Sequence, residues 1–426
     1  MIKSRWVVFA AILLCGASVF AERQARPPAT LLIHNVTLID GNGGAPKAGV
    51  DVFVSGGKIT GFAKPDGETP TWTIDGAGLF LLPGLIDAHV HLSGNLWAES
   101  AAELKKVLQG GVTAVFDVAG DTRTSGDLAR AQLAGEIESP TIYYSALFGG
   151  AAFMADPRVA ASSIGYKPGE APWNRTIDAN TDLVRAIAEA KGTGATAIKL
   201  YAALDADTVK RIGVEANRQN IRLIAHSTTF PAKPTDLIAA GVKYLAHAAY
   251  LVWEGMPPST DFTKRAQGDF AAVPADGPVM TRVLQAMKDN DVTLNPTLWV
   301  LAEGDGKADP SGLRTAWQNL VTARAQALGV TIAAGVDSLM TPSDPQPMIH
   351  KEMEMLVTGA HFTPLEAITA ATRGAAHGIG VDDARGTVAP GKTADLVLVG
   401  ADPSVNIGNT RDIRYVIKDG KVVFTK

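Results

Sequence analysis

The chain has 426 residues, enough to bury a large core and to hold one barrel-sized domain with a smaller unit beside it. Hydrophobic residues make up 46% and charged residues 19%, which excludes an intrinsically disordered chain. A net charge of −4 with no basic cluster gives no electrostatic footprint for nucleic acid, so a small-molecule substrate is expected.

Residues 1–21 carry Lys3 and Arg5, then the apolar run Trp6 to Leu14, then small residues ending at Ala21 before Glu22. That order of charge, apolar core and cleavage site predicts a secretory signal peptide, since a bilayer span needs about 20 apolar residues. A periplasmic or secreted protein with no membrane attachment after cleavage is therefore expected. The one cysteine, Cys15, lies inside this leader, where Leu14 occupies the position at which lipid-attachment signals place a small residue. Cleavage after Ala21 leaves no thiol, which excludes disulfides, cysteine-ligated zinc and a cysteine nucleophile.

Residues 22–82 hold short alternating runs such as Val50-Asp51-Val52-Phe53-Val54, broken by Gly-rich turns, and read as an antiparallel β unit. Residues 384–426 repeat the style. There Asp419-Gly420 sits between two strand-like runs as a hairpin turn would. The two ends are expected to form one small β-sandwich, discontinuous in sequence.

Between them, residues 83–383 alternate strand-like and helix-like runs, the pattern of a parallel β/α architecture. Strands are expected near 85–91, 112–118, 140–146, 196–201, 221–226, 243–248, 292–297 and 331–337. Helices are expected from Leu128 to Ile137, Thr181 to Lys191 behind an Asn180 cap, Ala206 to Asn217, Val279 to Asn290 and Arg314 to Leu328. Together these predict an α/β chain built as a distorted (β/α)8 TIM barrel. The Pro- and Gly-rich stretch from Leu251 to Gly277 follows the sixth strand and is expected to act as a lid or binding loop.

Several of the predicted strands end on a residue that can hold a divalent metal. His89 and His91 are two apart on the first, so alternation places both imidazoles on one face, where they can share one ion. Lys199 ends the fourth strand, His226 the fifth, His247 the sixth and Asp337 the eighth. In a parallel β/α barrel the strand C-termini form the active-site mouth, so these side chains are expected to converge there.

With Leu82-Pro83-Gly84-Leu85-Ile86-Asp87-Ala88-His89-Val90-His91, Gly111-Val112-Thr113-Ala114-Val115 and Gly386-Thr387-Val388-Ala389-Pro390-Gly391-Lys392-Thr393-Ala394-Asp395-Leu396, the chain resembles the amidohydrolase superfamily over nearly all of residues 28–426. Within it the ligand set resembles the imidazolonepropionase-like and prolidase-like branch. The resemblance implies a binuclear metal-dependent hydrolase that cleaves an amide bond, peptide-like or in an N-acyl amino acid, by attack of a metal-bridging hydroxide. It implies that His89, His91 and Asp337 bind one ion, that His226 and His247 bind a second, and that Lys199 is N-carboxylated and bridges the two. Asp337 and Lys199 would be the catalytic pair. Zinc is the favoured ion, and manganese, cobalt or iron suit the same donors.

The chain departs from its dipeptide-cleaving relatives after the third strand, where Gly149-Gly150 leads to Ala151 rather than to a histidine. Phe148, Trp253 and His350 are the further residues expected to meet substrate. Asp117 and Asp121 read equally well as supports for the ligands or as turn and capping carboxylates, while His34, His361 and His377 read as structural or exposed. The Gly386 to Thr393 match to a phosphate-binding loop is read as a turn, because a strand and not a helix follows it. Three alternatives stay open: a mononuclear deaminase or imidazolonepropionase-type hydrolase, a lactonase or phosphotriesterase-like esterase, and an inactive homologue acting as a binding protein. A homo-oligomer is compatible with the sequence but not read from it.

Overall fold

A computed structural model describes residues 30–92, 96–304, 309–341 and 344–426. The leader expected at residues 1–21, with Cys15, lies outside the described residues. Among the described residues no helix is long and apolar enough to cross a membrane.

The N-terminal segment forms β1 (Thr30–Leu38), β2 (Lys47–Ser55), β3 (Lys58–Gly61), β4 (Trp72–Asp75) and β5 (Phe80–Pro83). The barrel follows with β6 (Leu85–Val90), β7 (Val112–Asp117), β8 (Thr141–Gly149), the short pair β9 (Glu170–Ala171) and β10 (Asn174–Thr176), then β11 (Ala197–Leu200), β12 (Arg222–His226), β13 (Tyr244–Ala246) and β14 (Thr293–Asn295). The chain closes with β15 (Leu396–Val399), β16 (Ile413–Lys418) and β17 (Lys421–Thr425).

Both chain ends enter one eight-stranded sheet, joined where β15 runs antiparallel to β5. Its strands obey period two. Leu396 and Leu398 pack with Ile33, Val52 and Leu81 in the sheet's own cluster, while the intervening Val397 and Val399 join the barrel's outer core. At the hairpin between β16 and β17, Asp419 and Gly420 both take positive φ, 50° and 77°, as a two-residue turn matched to strand twist requires.

In the barrel β6, β7, β8, β11, β12, β13 and β14 pair in parallel and in chain order. Helices cover the outside, with capping as the sequence allows. Asp121, Asp182 and Asp205 each accept a backbone N–H at the start of α helices Thr122–Leu133, Leu183–Gly192 and Ala206–Arg218. The cap expected at Asn180 is thus supplied by Asp182. The helix takes the carboxylate two residues on because Asn180 belongs to the preceding turn, closed by Asp178 Oδ1 accepting its N–H at 2.9 Å.

The stave expected as a regular strand over 331–337 is irregular, with one ladder bridge between Leu294 and Ile332. It still closes the barrel. Leu294 N–H donates to Thr331, Ala333 N–H to Leu294, Ala88 N–H to Ala334 and Asp337 N–H to His89, all carbonyls within 3.1 Å. The ladder breaks for two physical reasons. The buried Asp87 carboxylate takes the N–H groups of His89 and Val336, at 3.1 and 3.2 Å, and Asp337 adopts φ 65°. Gly335 permits the approach, because a Cβ there would lie 2.6 Å from the His89 nitrogen and 2.9 Å from the Ala88 carbonyl carbon.

Replacing Gly335 with Ala forces backbone apart at this seam. Urea unfolding of Gly335→Ala is expected to show a loss of about 1–3 kcal/mol. Gly44→Ala, where nothing lies within 4 Å of the added carbon, should stay within about 0.5 kcal/mol of the parent.

Candidate active site

The structure brings His89, His91, Lys199, His226, His247 and Asp337 together around one cavity of about 420 Å³ at the C-terminal mouth of the barrel. His91 Nε2 lies 2.8 Å and His89 Nε2 3.3 Å from Asp337 Oδ1, and one ligand atom from each of the three falls within 4.8 Å of the others. The rings continue across the mouth, with centroid separations of 5.1 Å from His89 to His247 and 4.9 Å from His247 to His226.

Each imidazole is oriented from behind. Asn295 gives both amide hydrogens to the carbonyls of Ala333 and Gly335, at 3.0 and 3.1 Å, so its Oδ1 faces His89 Nδ1 at 2.7 Å and accepts from it. The Ala119 carbonyl accepts from His91 Nδ1 at 2.9 Å. Thr297 spends its hydroxyl hydrogen on the Pro296 carbonyl and accepts from His247 Nδ1 at 2.8 Å. These partners assign Nδ1–H as a donor in His89, His91 and His247 and turn Nε2 toward the cavity, where those of His89 and His91 meet the Asp337 carboxylate, the arrangement a metal-binding histidine needs. His226 Nδ1 rests against the Tyr201 carbonyl at a longer 3.2 Å.

Strain is concentrated at the same place. His247, Thr297 and Asp337 are non-glycine residues with φ of 70°, 49° and 65°, a conformation that costs energy and is held by the bonds around it.

The electrostatics separate the groups by role. Burial alone would raise the Asp337 carboxyl, yet His89 and His91 beside it hold it well below the usual carboxylate range, so it stays ionised. Burial lowers His89, and drives His226 and His247 well below their ordinary value, so these rings are neutral and able to ligate. Burial is the largest single influence on His91 and lowers it, but the hydrogen bond and charge of Asp337, with Asp117 and the Ala119 carbonyl, together outweigh burial and raise it. Lys199 is fully buried, its Nζ has no hydrogen-bond partner among the described residues, and desolvation lowers it to about 7. A bare amine that loses its proton near neutral pH, beside a carboxylate and four imidazoles, is an orphan in a polar site. It fits a divalent metal centre once it is converted to an oxygen donor.

Three expected substrate residues lie elsewhere. Phe148 pairs with Leu200, while its neighbour Leu147 pairs with Lys199, so strand parity turns Leu147 into the cavity and Phe148 into the surrounding core. His350 is buried in the helix Ile349–Thr358, with Nε2 against the Gly110 carbonyl and Nδ1 against Thr410 Oγ1, both at 2.9 Å, and contributes nothing to the mouth. Trp253 is buried against Phe230 and donates its indole N–H to the Arg265 carbonyl at 2.9 Å, so it supports the wall without lining it. Asp117 is buried 4.0 Å from His91 Nδ1 and raised to about 6 by burial, whereas Asp121 caps a helix.

Sequence reasoning missed Asn295 and Thr297, although the run Thr293-Leu294-Asn295 ends on a polar residue just as the ligand strands do. It also missed Glu352, whose buried carboxylate accepts from Leu298 and Trp299 N–H at 2.8 and 2.9 Å and is raised to about 7 by burial. That bond pins the turn that carries Thr297 and the cavity residues Val300 and Leu301. The excursion after β8 supplies Phe153, Arg158 and Val159, and the loop after β13 supplies Tyr250 and Arg265. Only the second of these was expected to reach the mouth.

A barrel whose strand ends converge on histidines, an ionised aspartate and a buried lysine defines a metal-dependent hydrolase site of the superfamily that the sequence resembles. The amidohydrolase family model matches residues 80–423, and the chain belongs to that family. It is 26% identical over 396 residues to an ochratoxinase of Aspergillus niger, a match covering 80% of this chain and 75% of that one. An N-acyl-D-aspartate deacylase of Alcaligenes xylosoxydans xylosoxydans is 41% identical over 92 residues, 22% of this chain and only 18% of that protein. The ochratoxinase crystal structure superposes with a TM-score of 0.72 at 24% identity, covering 94% of this chain and 96% of that one. A Xaa-Pro dipeptidase superposes with a TM-score of 0.70 at 19% identity, covering 93% and 100%.

Lys199 gives the metal-free protein a defined pH signature. The unfolded chain holds this proton up to its ordinary value of 10.5, whereas the folded chain releases it near 7. Between those values the unfolded state binds more protons, so stability rises with pH across the window and is lost as pH falls toward 7. Denaturant unfolding of metal-stripped protein in carbonate-free buffer is expected to show that rise, and Lys199→Met to flatten it.

Proposed function

We propose that this chain is an exported hydrolase that uses two divalent metal ions, zinc by preference, to cleave an amide bond in a small peptide-like or N-acyl amino acid substrate. The observation that carries this reading is the donor set itself: three imidazoles held by Nδ1 with Nε2 toward the cavity, a fourth beside them, an ionised Asp337 and an orphaned Lys199 amine around one cavity. His89, His91 and Asp337 would hold one ion and His226 and His247 the other. Lys199, whose charged form burial disfavours, would react as the free amine with carbon dioxide, losing a proton, to give a carbamate that supplies oxygen donors to the ions. Ions held there would supply Lewis-acid polarisation of the scissile carbonyl and lower the pKa of water.

The chain's own residues supply the rest. Asp337 is ionised, partly open to the cavity and joined to His91, so it can accept a proton from the attacking water. It then delivers that proton to the nitrogen as the C–N bond breaks, which leaves a carboxylic acid and an amine. Leu147, Phe153, Val159, Val300 and Leu301 form an apolar wall that excludes bulk water and suits an aliphatic or aromatic substituent. The name of the N-acyl-D-aspartate deacylase agrees with an acyl-amide substrate. The charge and small-residue pattern of residues 1–21 supports export to the periplasm or beyond.

Hydrolysis of a panel of N-acyl amino acids and dipeptides tests the reading. Activity is expected to vanish on chelation and to return with zinc and bicarbonate. Asp337→Asn should lower kcat by about 100-fold or more. Turnover that survives complete chelation would overturn the assignment, as would cleavage of lactones or phosphotriesters without any amide.

A further inference from the structure

The mouth of the cavity carries two guanidinium groups of unequal standing. Arg158 is committed: its Nη2 and Nε meet the two oxygens of Asp156 at 2.7 and 3.0 Å. Arg265 is not. Among the described residues it forms no ion pair within 4.0 Å: its Nη1 reaches the Phe262 carbonyl at a weak 3.4 Å, its guanidinium meets the Tyr250 hydroxyl, and the Asp156 carboxylate that feels its charge is already taken by Arg158. Yet it lines the same cavity as the ligand histidines, and lies close enough that its charge bears on His226, His247 and Tyr250.

Arg265 is also held in place. The Trp253 indole N–H donates to its backbone carbonyl at 2.9 Å, and Phe262, three residues before it, packs edge-on against Phe153 at 5.7 Å on the opposite wall. A positioned, partly buried guanidinium with no carboxylate of its own leaves unspent donors facing a cavity. The ligand that satisfies them is an anion, and a carboxylate matches the guanidinium fork.

Resting on the hydrolase reading above, we propose that Arg265 binds a free carboxylate of the substrate, so the enzyme selects N-acyl amino acids or peptides with an uncapped C-terminus over neutral amides. The scissile carbonyl then faces His226 and His247, the carboxylate faces Arg265, and an apolar side chain lies against Phe153 and Val159. This is a different recognition route from a histidine after Gly149-Gly150, a position that Ala151 fills here. Trp253 is a positioning residue in this scheme, acting through the Arg265 backbone.

Steady-state kinetics on the metal-loaded, full-length enzyme test the assignment. The probes are the N-acetyl derivatives of phenylalanine, leucine and methionine, each as the free acid and as the C-terminal carboxamide, with release of acetate as the readout. The parent enzyme is expected to prefer the free acid in kcat/KM by roughly 10- to 100-fold, the range for a charge-assisted contact in a secluded site. Raising ionic strength should shrink that preference. Arg265→Gln should bring the free-acid to carboxamide ratio close to one, chiefly through a higher KM for the acids. Arg265→Lys should restore part of the preference, and Trp253→Phe, which leaves an aromatic ring but removes the N–H, should reduce it by a smaller factor. Equal kcat/KM for acid and carboxamide in the parent enzyme would overturn the role of Arg265 and leave the hydrolase reading standing, as would a preference that survives Arg265→Gln. Failure to cleave any probe in either form, by a fully metal-loaded enzyme, would count against both.

Discussion

Asp87 accepts the amide hydrogens of His89 and Val336, and with them stitches the first stave of the barrel to the last at the level where His89 and Asp337 emerge. Burial raises this carboxyl well above its usual range, so its place in the seam depends on those two N–H groups. Every other feature of the site leans on that closure. The Asp337 N–H reaches the His89 carbonyl at 2.7 Å, Gly335 lets the two backbones touch, and Asn295 ties both carbonyl-bearing residues of the stave to the back of the His89 ring. Without the seam, the aspartate and the paired histidines would sit on opposite sides of an open sheet.

The seam also explains why the site is polar yet rigid. Each of His89, His91 and His247 spends one nitrogen on a fixed acceptor, so the other points where an ion can be met without a rotamer search. Backbone strain at His247, Thr297 and Asp337 is offset by that network and by Glu352, which holds the turn behind Thr297 from the helix Ile349–Thr358. The cost is a metal-free state that carries several desolvated groups at once, Lys199 foremost. The proposed metal centre would relieve it.

Much of this was legible in the chain itself. Alternation put His89 and His91 on one face, and apolar runs ending on Lys199, His226, His247 and Asp337 placed those groups at one mouth once parallel β/α order was assumed. The hairpin at Asp419-Gly420 and the joining of both chain ends followed from turn chemistry and period two. What the sequence hid was phase and tertiary exchange. Nothing local says that Leu147, and not Phe148, faces inward; the register against Lys199 decides it. The eighth stave is patterned like a strand, but Asp87, distant in sequence, takes the hydrogen bond that a ladder would have used. His350 follows the last stave closely in sequence, yet its helix packs it between Gly110 and Thr410 on the far side. Arg265 fell within the binding loop expected from Leu251 to Gly277, but nothing local singled it out, since its meaning lies in the carboxylate it lacks.

Convergence of these side chains on a pair of ions is the claim from which the chemistry follows, and metal content per chain measures it directly. Elemental analysis of protein reconstituted with zinc and bicarbonate, then freed of loosely held metal, is expected to give two ions per chain, falling to one or none in Lys199→Ala. A single ion in the parent protein, with the same count after Lys199 is removed, would contradict it.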